Sequence, residues 1–291
     1  MQASGNRKEV RSAVLRLQEL PPLSQSKQRL LAAATDNDID ILNLVTLIEE
    51  CPPVAARIIG LASSAFFTQT VAVRSIADAI IRVLGLNLVK SLVMGITVTG
   101  VFRAEDCPQL NLQKYWHSTL LTAMLARLLT PCVKVGEALL PDNAYLCGLL
   151  HNLGTLALVH VAPSEMDGVF TTAQKHPQRP LIEIETEILG VHHGQAGALL
   201  ALRWHLPEEV GLVMEHYVDP HYRAREWPLS LLVGQCACWT EQLLSGVDEQ
   251  WKETEFLEAL GIEQEGLCIA REAWLQRHEE IADLANLFAG R

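Results

Sequence analysis

The sequence predicts an all-α protein. Apolar residues recur at three- and four-residue spacing in nearly every segment, and no stretch alternates with the period of two that a half-buried strand requires. Hydrophobic residues make up 49% of the 291 positions and charged residues 20%, enough to bury a sizeable core as one large domain or two ordinary ones. Prolines fall mainly between the periodic runs and mark where helices start and stop.

Taken in order, residues 7–19 mix basic side chains with Val10, Val14, Leu15 and Leu17, and predict an amphipathic helix that Leu20-Pro21-Pro22-Leu23 stops. Helices are expected over 26–34 and 41–50, with Asp36-Asn37-Asp38 as the turn between them. Pro52 and Pro53 suit a first helical turn, so a further helix runs to about residue 63. Residues 63–74 form a connection anchored by Phe66 and Phe67. Ser75 is the expected N-cap of a helix ending near Gly85, with Asp78 as its acidic partner. A helix over 88–102 follows.

The polar, proline-bearing stretch 103–111 is the expected domain boundary. Beyond it the periodicity predicts helices over 112–129, 144–160 and 164–175, one or two over 182–204, and two more over 208–217 and 230–244. Acidic residues in the first turn of the 208–217 segment complement the helix dipole. Residues 247–283 are acidic but keep apolar residues at helical spacing, so a folded extension is expected. This divides the chain into an N-terminal helical subdomain (1–105), a helical core (106–245) and a C-terminal acidic extension (246–291).

Composition narrows the function. A net charge of -11 argues against nucleic acid, whose phosphates need a basic face. Seven scattered cysteines fit reduced, mostly buried thiols of a cytosolic protein, and the Cys236-x-Cys238 pair is too closely spaced for a structural zinc site. The N-terminus lacks a signal-peptide core, and the most apolar stretch, 144–160, carries His151 and Asn152 at its middle and is too short for a membrane span. A soluble cytoplasmic protein is expected.

That stretch (AYLCGLLHNLGTLALVH) is apolar on almost every side, the mark of a helix buried all round. One face carries Ala144, Cys147, Gly148, His151, Gly154 and Thr155. Small residues beside one imidazole allow either a close helix crossing or a bound species next to the ring. His117, His192, His193 and His216 lie on neighbouring helices. Several helix-borne imidazoles with a carboxylate form a common type of metal centre, whereas any one of them alone also reads as a hydrogen-bonded core residue. Adjacent His192 and His193 point about 100° apart on a helix, so at most one faces a given centre. Asp219 and His221 are a weaker pair on an exposed loop, and Trp116 reads as core. No phosphate-binding glycine loop, dinucleotide fingerprint or nucleophile elbow is present.

Several motifs, in order, resemble a known family. Leu20-Pro-Pro-Leu23, Leu61-Ala-Ser-Ser-Ala-Phe-Phe67, Ser75-Ile76 with Ala79-Ile80, and Leu84-Gly85-Leu86 are similar to the N-terminal half of the HDOD domain, an HD-related output domain of bacterial signalling proteins. Tyr115-Trp-His-Ser118, Gly148-Leu-Leu-His-Asn-Leu-Gly154, Leu189-Gly-Val-His-His193 and Trp204-His-Leu-Pro-Glu-Glu209 with Glu215-His216 continue the likeness over about residues 20–240. The resemblance implies an HD-domain-like helical core with an additional N-terminal helical bundle. It also implies a pocket where active HD enzymes hold one or two divalent metals that activate water against a phosphate. His117 matches the first ligand and His151 the second, while His193 and His216 match recurring pocket histidines.

Two departures stand out. Asn152 occupies the position of the signature aspartate, and the later aspartate falls near Ala237, where no carboxylate stands. An amide has no charge with which to bridge hard cations. The resemblance therefore implies a non-catalytic signalling module, acting through a protein partner or through a small-molecule or nucleotide ligand in a degenerate pocket lined by His117, His151, Asn152, His192, His193 and His216. No cofactor is expected. The alternative is a metal-dependent phosphohydrolase of a nucleotide or cyclic dinucleotide, using Fe, Mn, Zn or Ni held by His117, His151, His193 and His216. A purely structural adaptor with a collapsed pocket is a third reading.

Overall fold

Helix starts in this chain are set by local capping chemistry. Asp40 caps the second helix, its side chain accepting from the backbone N–H groups of Leu42 (2.8 Å) and Asn43 (3.0 Å). Pro52 and Pro53 occupy the first turn of the next, where a missing N–H costs nothing. The computed structural model describes residues 23–36, 38–64, 67, 73–102, 106–246 and 254–289. Among the described residues there are helices and no strands, as the periodicity predicts. The helix expected over 7–19 and most of the 63–74 connection lie outside the described residues.

The N-terminal part comprises α1 (Gln25–Thr35), α2 (Ile41–Glu49), α3 (Pro52–Ala62), α4 and α5 (Leu86–Thr99). Ser75 caps α4 as expected, accepting from Asp78 N at 3.0 Å, but the Asp78 carboxylate accepts from Arg74 N at 3.1 Å, so the reciprocal half of the cap sits one residue early. After one α-turn (Ile76–Asp78), α4 widens into a π-helix over Ala79–Leu84. It ends at Gly85, whose φ of +80° at ψ 161° is a conformation only glycine adopts readily. Because Gly85 turns the chain so abruptly, α5 begins at Leu86, two residues before the expected start. Buried Lys90 ties α5 to the end of α1 by donating to Asp36 O at 2.6 Å.

The remaining helices are α6 (Leu112–Leu129), α7 (Pro141–Leu150), α8 (Leu153–Val161), α9 (Pro163–Lys175), α10 (Leu181–Leu189), α11 (His193–Arg203), α12 (Glu208–His216) and α13 (Trp227–Leu244), followed by α14 (Thr254–Leu260), α15 (Gln264–Leu275) and α16 (His278–Ala289). The 182–204 segment is two helices, separated where Gly190 adopts φ +71°.

The stretch expected as one helix over 144–160 is instead two, α7 and α8, with a break at His151-Asn152 where Asn152 leaves helical geometry (φ -101°, ψ 16°). The run 141–161 has 21 residues and a mean hydropathy of 1.4, so it passes a test of length and composition for crossing a membrane, a test that a buried core helix also passes. It is 83% buried inside the fold.

The small residues on its face serve close packing. A Cβ on Gly148 would lie 2.6 Å from Ala123 Cα, so α7 crosses α6 backbone to backbone. A Cβ on Gly154 would lie 1.8 Å from His193 O, which presses α8 onto the start of α11. The acidic extension is folded onto α6, as expected. Trp274 is fully buried and its indole N–H donates to Leu121 O at 2.9 Å, while Trp116 packs as core against Phe288 with ring centroids 4.7 Å apart. Buried apolar residues from Leu23 to Phe288 belong to one continuous core.

Candidate functional site

The α7–α8 break, the start of α11, the end of α12 and the middle of α13 enclose a cavity of about 530 Å³. His151, Asn152, His193 and Tyr217 line it, with Gln235, Ala237 and Glu241 contributed by α13. Gly234 brings α13 against the end of α12, since a Cβ there would lie 2.1 Å from Tyr217 O.

His151 is 4% exposed. Its Nδ1 lies 2.7 Å from Gly148 O one turn back, which fixes the ring proton on Nδ1 and leaves Nε2 as an acceptor. Burial lowers its pKa to about 4, against a smaller opposing effect of the Gly148 bond, so the ring is neutral near pH 7. The edge of Tyr217 meets this ring at 4.9 Å.

His193 is held on both sides. Its Nδ1 and its backbone N–H both reach Glu185 Oε2, at 2.7 and 2.9 Å, and its Nε2 lies 2.6 Å from the Tyr217 hydroxyl. With Nδ1–H donating to the fully buried carboxylate, Nε2 accepts the Tyr217 proton. Burial, reinforced by the Glu185 and Glu241 carboxylates, raises the Tyr217 pKa well above the ordinary phenol value, so it stays protonated. Asn152 is also committed: its side-chain oxygen accepts from the Thr155 hydroxyl, and its backbone carbonyl accepts from Tyr115 Oη at 3.2 Å.

Of the six residues the sequence singles out, three line this cavity: His151, Asn152 and His193. His117 turns to the C-terminal extension, its Nε2 3.3 Å from His278 O, with burial lowering its pKa. His192 sits at the N-cap of α11 beside the cavity lining. His216 stacks on Tyr222, with ring centroids 3.8 Å apart, on the far side of α12. Two imidazoles therefore converge on the cavity. Asp219 accepts from His221 N at 2.9 Å, a local turn contact. Cys236 is buried and Cys238 exposed, and neither forms a disulfide among the described residues.

These positions do not fit a divalent metal. His117 points elsewhere, the Asn152 oxygen is engaged, Ala237 presents a methyl group, and both His193 nitrogens are bonded. Among the described residues no three His, Cys, Asp or Glu side chains are grouped to hold a metal ion.

Sequence reasoning missed Tyr217, Glu185 and Glu241. Tyr217 directly follows a flagged histidine, and its turn of about 100° carries it to the cavity while His216 faces outward. Glu185 is indistinguishable in sequence from its neighbours Glu183 and Glu187, although it alone is buried. Glu241 lies one turn beyond Ala237. It stays exposed at the cavity mouth, yet the protein around it, foremost by desolvation, raises its carboxyl pKa, with His193 and Lys114 opposing.

Known proteins share this architecture. Over 99% of its length the chain superposes on 67% of a protein from Marinobacter aquaeolei VT8 provisionally described as a signal transduction protein, at 27% identity and a TM-score of 0.81. A protein from Shewanella amazonensis SB2B, provisionally described as a phosphohydrolase, matches 95% of the chain over 98% of its own at 21% identity and TM-score 0.78. An HDOD domain protein of unknown function from Geobacter sulfurreducens matches 97% over 98% at 19% identity and TM-score 0.73. In sequence, a Treponema pallidum (strain Nichols) protein without a described function is 28% identical over 215 residues, which span 74% of this chain and 40% of that protein. The HDOD domain model matches residues 20–220, and the chain belongs to the HDOD domain family.

Proposed function

We propose that this chain is a non-catalytic regulatory module of a bacterial cytoplasmic signalling pathway, acting through protein contacts or through a ligand in its degenerate HD-type pocket. One observation carries this reading: the side chains at the positions that match metal ligands are engaged by the fold. His193 is bonded at both nitrogens, Asn152 gives its oxygen to Thr155, and His117 is turned to His278. A hydrolase that activates water on a metal needs open coordination positions and several convergent ligands. Of the imidazole nitrogens that line the cavity among the described residues, His151 Nε2 is the one without a bond inside the fold. The likeness to a protein placed provisionally in signal transduction supports the same reading. Within the module, we take residues 1–105 as the N-terminal bundle, 106–245 as the HD-like core and 246–291 as an extension that covers α6.

Metal analysis of protein purified without chelator, together with a phosphodiester turnover assay, tests the proposal. Substoichiometric metal and no turnover are expected. Stoichiometric Fe, Mn, Zn or Ni that is lost on His151→Ala, with turnover, would establish the phosphohydrolase instead.

A further inference from the structure

We infer that the cavity between the α7–α8 break, the start of α11 and α13 is a binding site for a small organic cation, a primary ammonium or amidinium group carried on an apolar body, and not for a phosphate. The inference rests on the ligand-sensing form of the regulatory reading and names the chemistry of the ligand.

The charge of the lining decides the sign. No lysine or arginine lines the cavity, and its one formally charged lining side chain apart from histidine is Glu241 at the mouth. His151 gives its Nδ1–H to Gly148 O, which leaves Nε2 as an acceptor. His193 is paired at 2.7 Å with the fully buried carboxylate of Glu185, so the pair supplies no net positive charge to the cavity. An anion entering without a metal would lose its hydration and meet a carboxylate, with no guanidinium or ammonium to offset the loss.

A cation meets the opposite situation, because three acceptors face the space it would fill. Buried His151 leaves Nε2 unbonded, the Tyr217 oxygen keeps its lone pairs while its proton goes to His193, and exposed Glu241 adds a carboxylate to the lining. Leu181, Ile182, Val218 and Leu231 supply apolar walls for the body of the ligand. The volume of about 530 Å³ accommodates a molecule of the size of an aryl amidine.

The test is calorimetric titration of the full chain, freed of metal by chelator, with benzamidine, benzyl alcohol, inorganic phosphate and adenosine monophosphate as probes. Benzamidine is expected to bind, to weaken with added salt, and to lose about tenfold in affinity in Glu241→Gln, an exposed position whose substitution leaves the core intact. Benzyl alcohol, which keeps the aryl body without the charge, is expected to bind at least tenfold more weakly. Binding of phosphate or the nucleotide more tightly than benzamidine, benzamidine binding unchanged in Glu241→Gln, or no binding of benzamidine at all would each overturn the inference. Metal content and phosphodiester turnover of the same preparation before chelation report separately on the regulatory reading. A metal-poor, inactive protein that ignores benzamidine overturns the cation site alone.

Discussion

Replacing Gly154 by alanine tests the packing that builds the site. The new Cβ would lie 1.8 Å from His193 O and 2.6 Å from Gly197 N, both backbone atoms that cannot rotate away. To restore ordinary contact, near 3.4 Å, α8 and α11 must part by roughly 1.6 Å. Overpacking of this kind costs about 1–3 kcal/mol, and a backbone-to-backbone clash belongs at the upper end. Alanine's helix propensity returns at most about 1 kcal/mol, and less in a first turn such as this. A net loss of about 2 kcal/mol is therefore expected. The same substitution at Gly168 provides the contrast. It lies mid-helix in α9 with no atom within 4 Å of a new Cβ, so Gly168→Ala is expected to stabilise by about 0.5–1 kcal/mol. Urea unfolding reads both as opposite shifts of the midpoint at unchanged slope. A Gly154→Ala protein as stable as the parent would refute the α8–α11 crossing, and with it the placement of His193.

Three further outcomes follow from particular contacts. His151 has a folded-state pKa of about 4 against an ordinary value of 6.5, so the unfolded chain takes up its proton first as pH falls; this contribution, about 3 kcal/mol, is complete above about pH 7 and lost between about pH 6.5 and 4. Urea midpoints measured across that window should fall less steeply in His151→Asn than in the parent. Asp40→Ala removes both bonds of the α2 cap and is expected to cost about 1 kcal/mol in the same assay. Trp274→Phe deletes a fully buried indole that bonds Leu121 O, and should cost about 2 kcal/mol or more by lowering the stability of the whole fold, since α15 shares its core with α6.

The fold was legible because its signals are local. Asp40 and Ser75 cap where expected, the paired prolines at 52 and 53 open α3, and the apolar face of the acidic tail lies on α6. The misplacements also have local causes. The α5 start moved because Gly85 compresses a whole turn into one residue, and the 144–160 helix broke because periodicity does not register a single residue leaving helical geometry. The site was legible only in part. Sequence locates His151, Asn152 and His193 on their helices, but which way a neighbour points depends on helix rotation fixed by long-range packing. His117 and Ser118 are adjacent on α6, yet Ser118 lines the cavity and His117 meets His278, 161 residues away in sequence. Glu185 could not be told from Glu183 or Glu187, because burial of one acid among three is decided by the helices laid over it.

The departures from the HD pattern act on one another through this packing. A carboxylate at position 152 would lie beside the Thr155 hydroxyl, which the amide oxygen now occupies; the substitution and its local bond together make a neutral, self-satisfied corner. On α13 the methyl group of Ala237 leaves space, and the acid one turn on, Glu241, stands at the mouth rather than at the depth a bound metal requires. His117 is held at the start of α16 by its contact with His278 O, so the C-terminal extension packs against this ring. Asn152 and His117 are thus each engaged by a contact within the fold. A protein carrying Asn152→Asp and Ala237→Asp is therefore expected to keep the His117–His278 contact and to bind no stoichiometric metal; stoichiometric Fe, Mn, Zn or Ni in that variant would refute the argument.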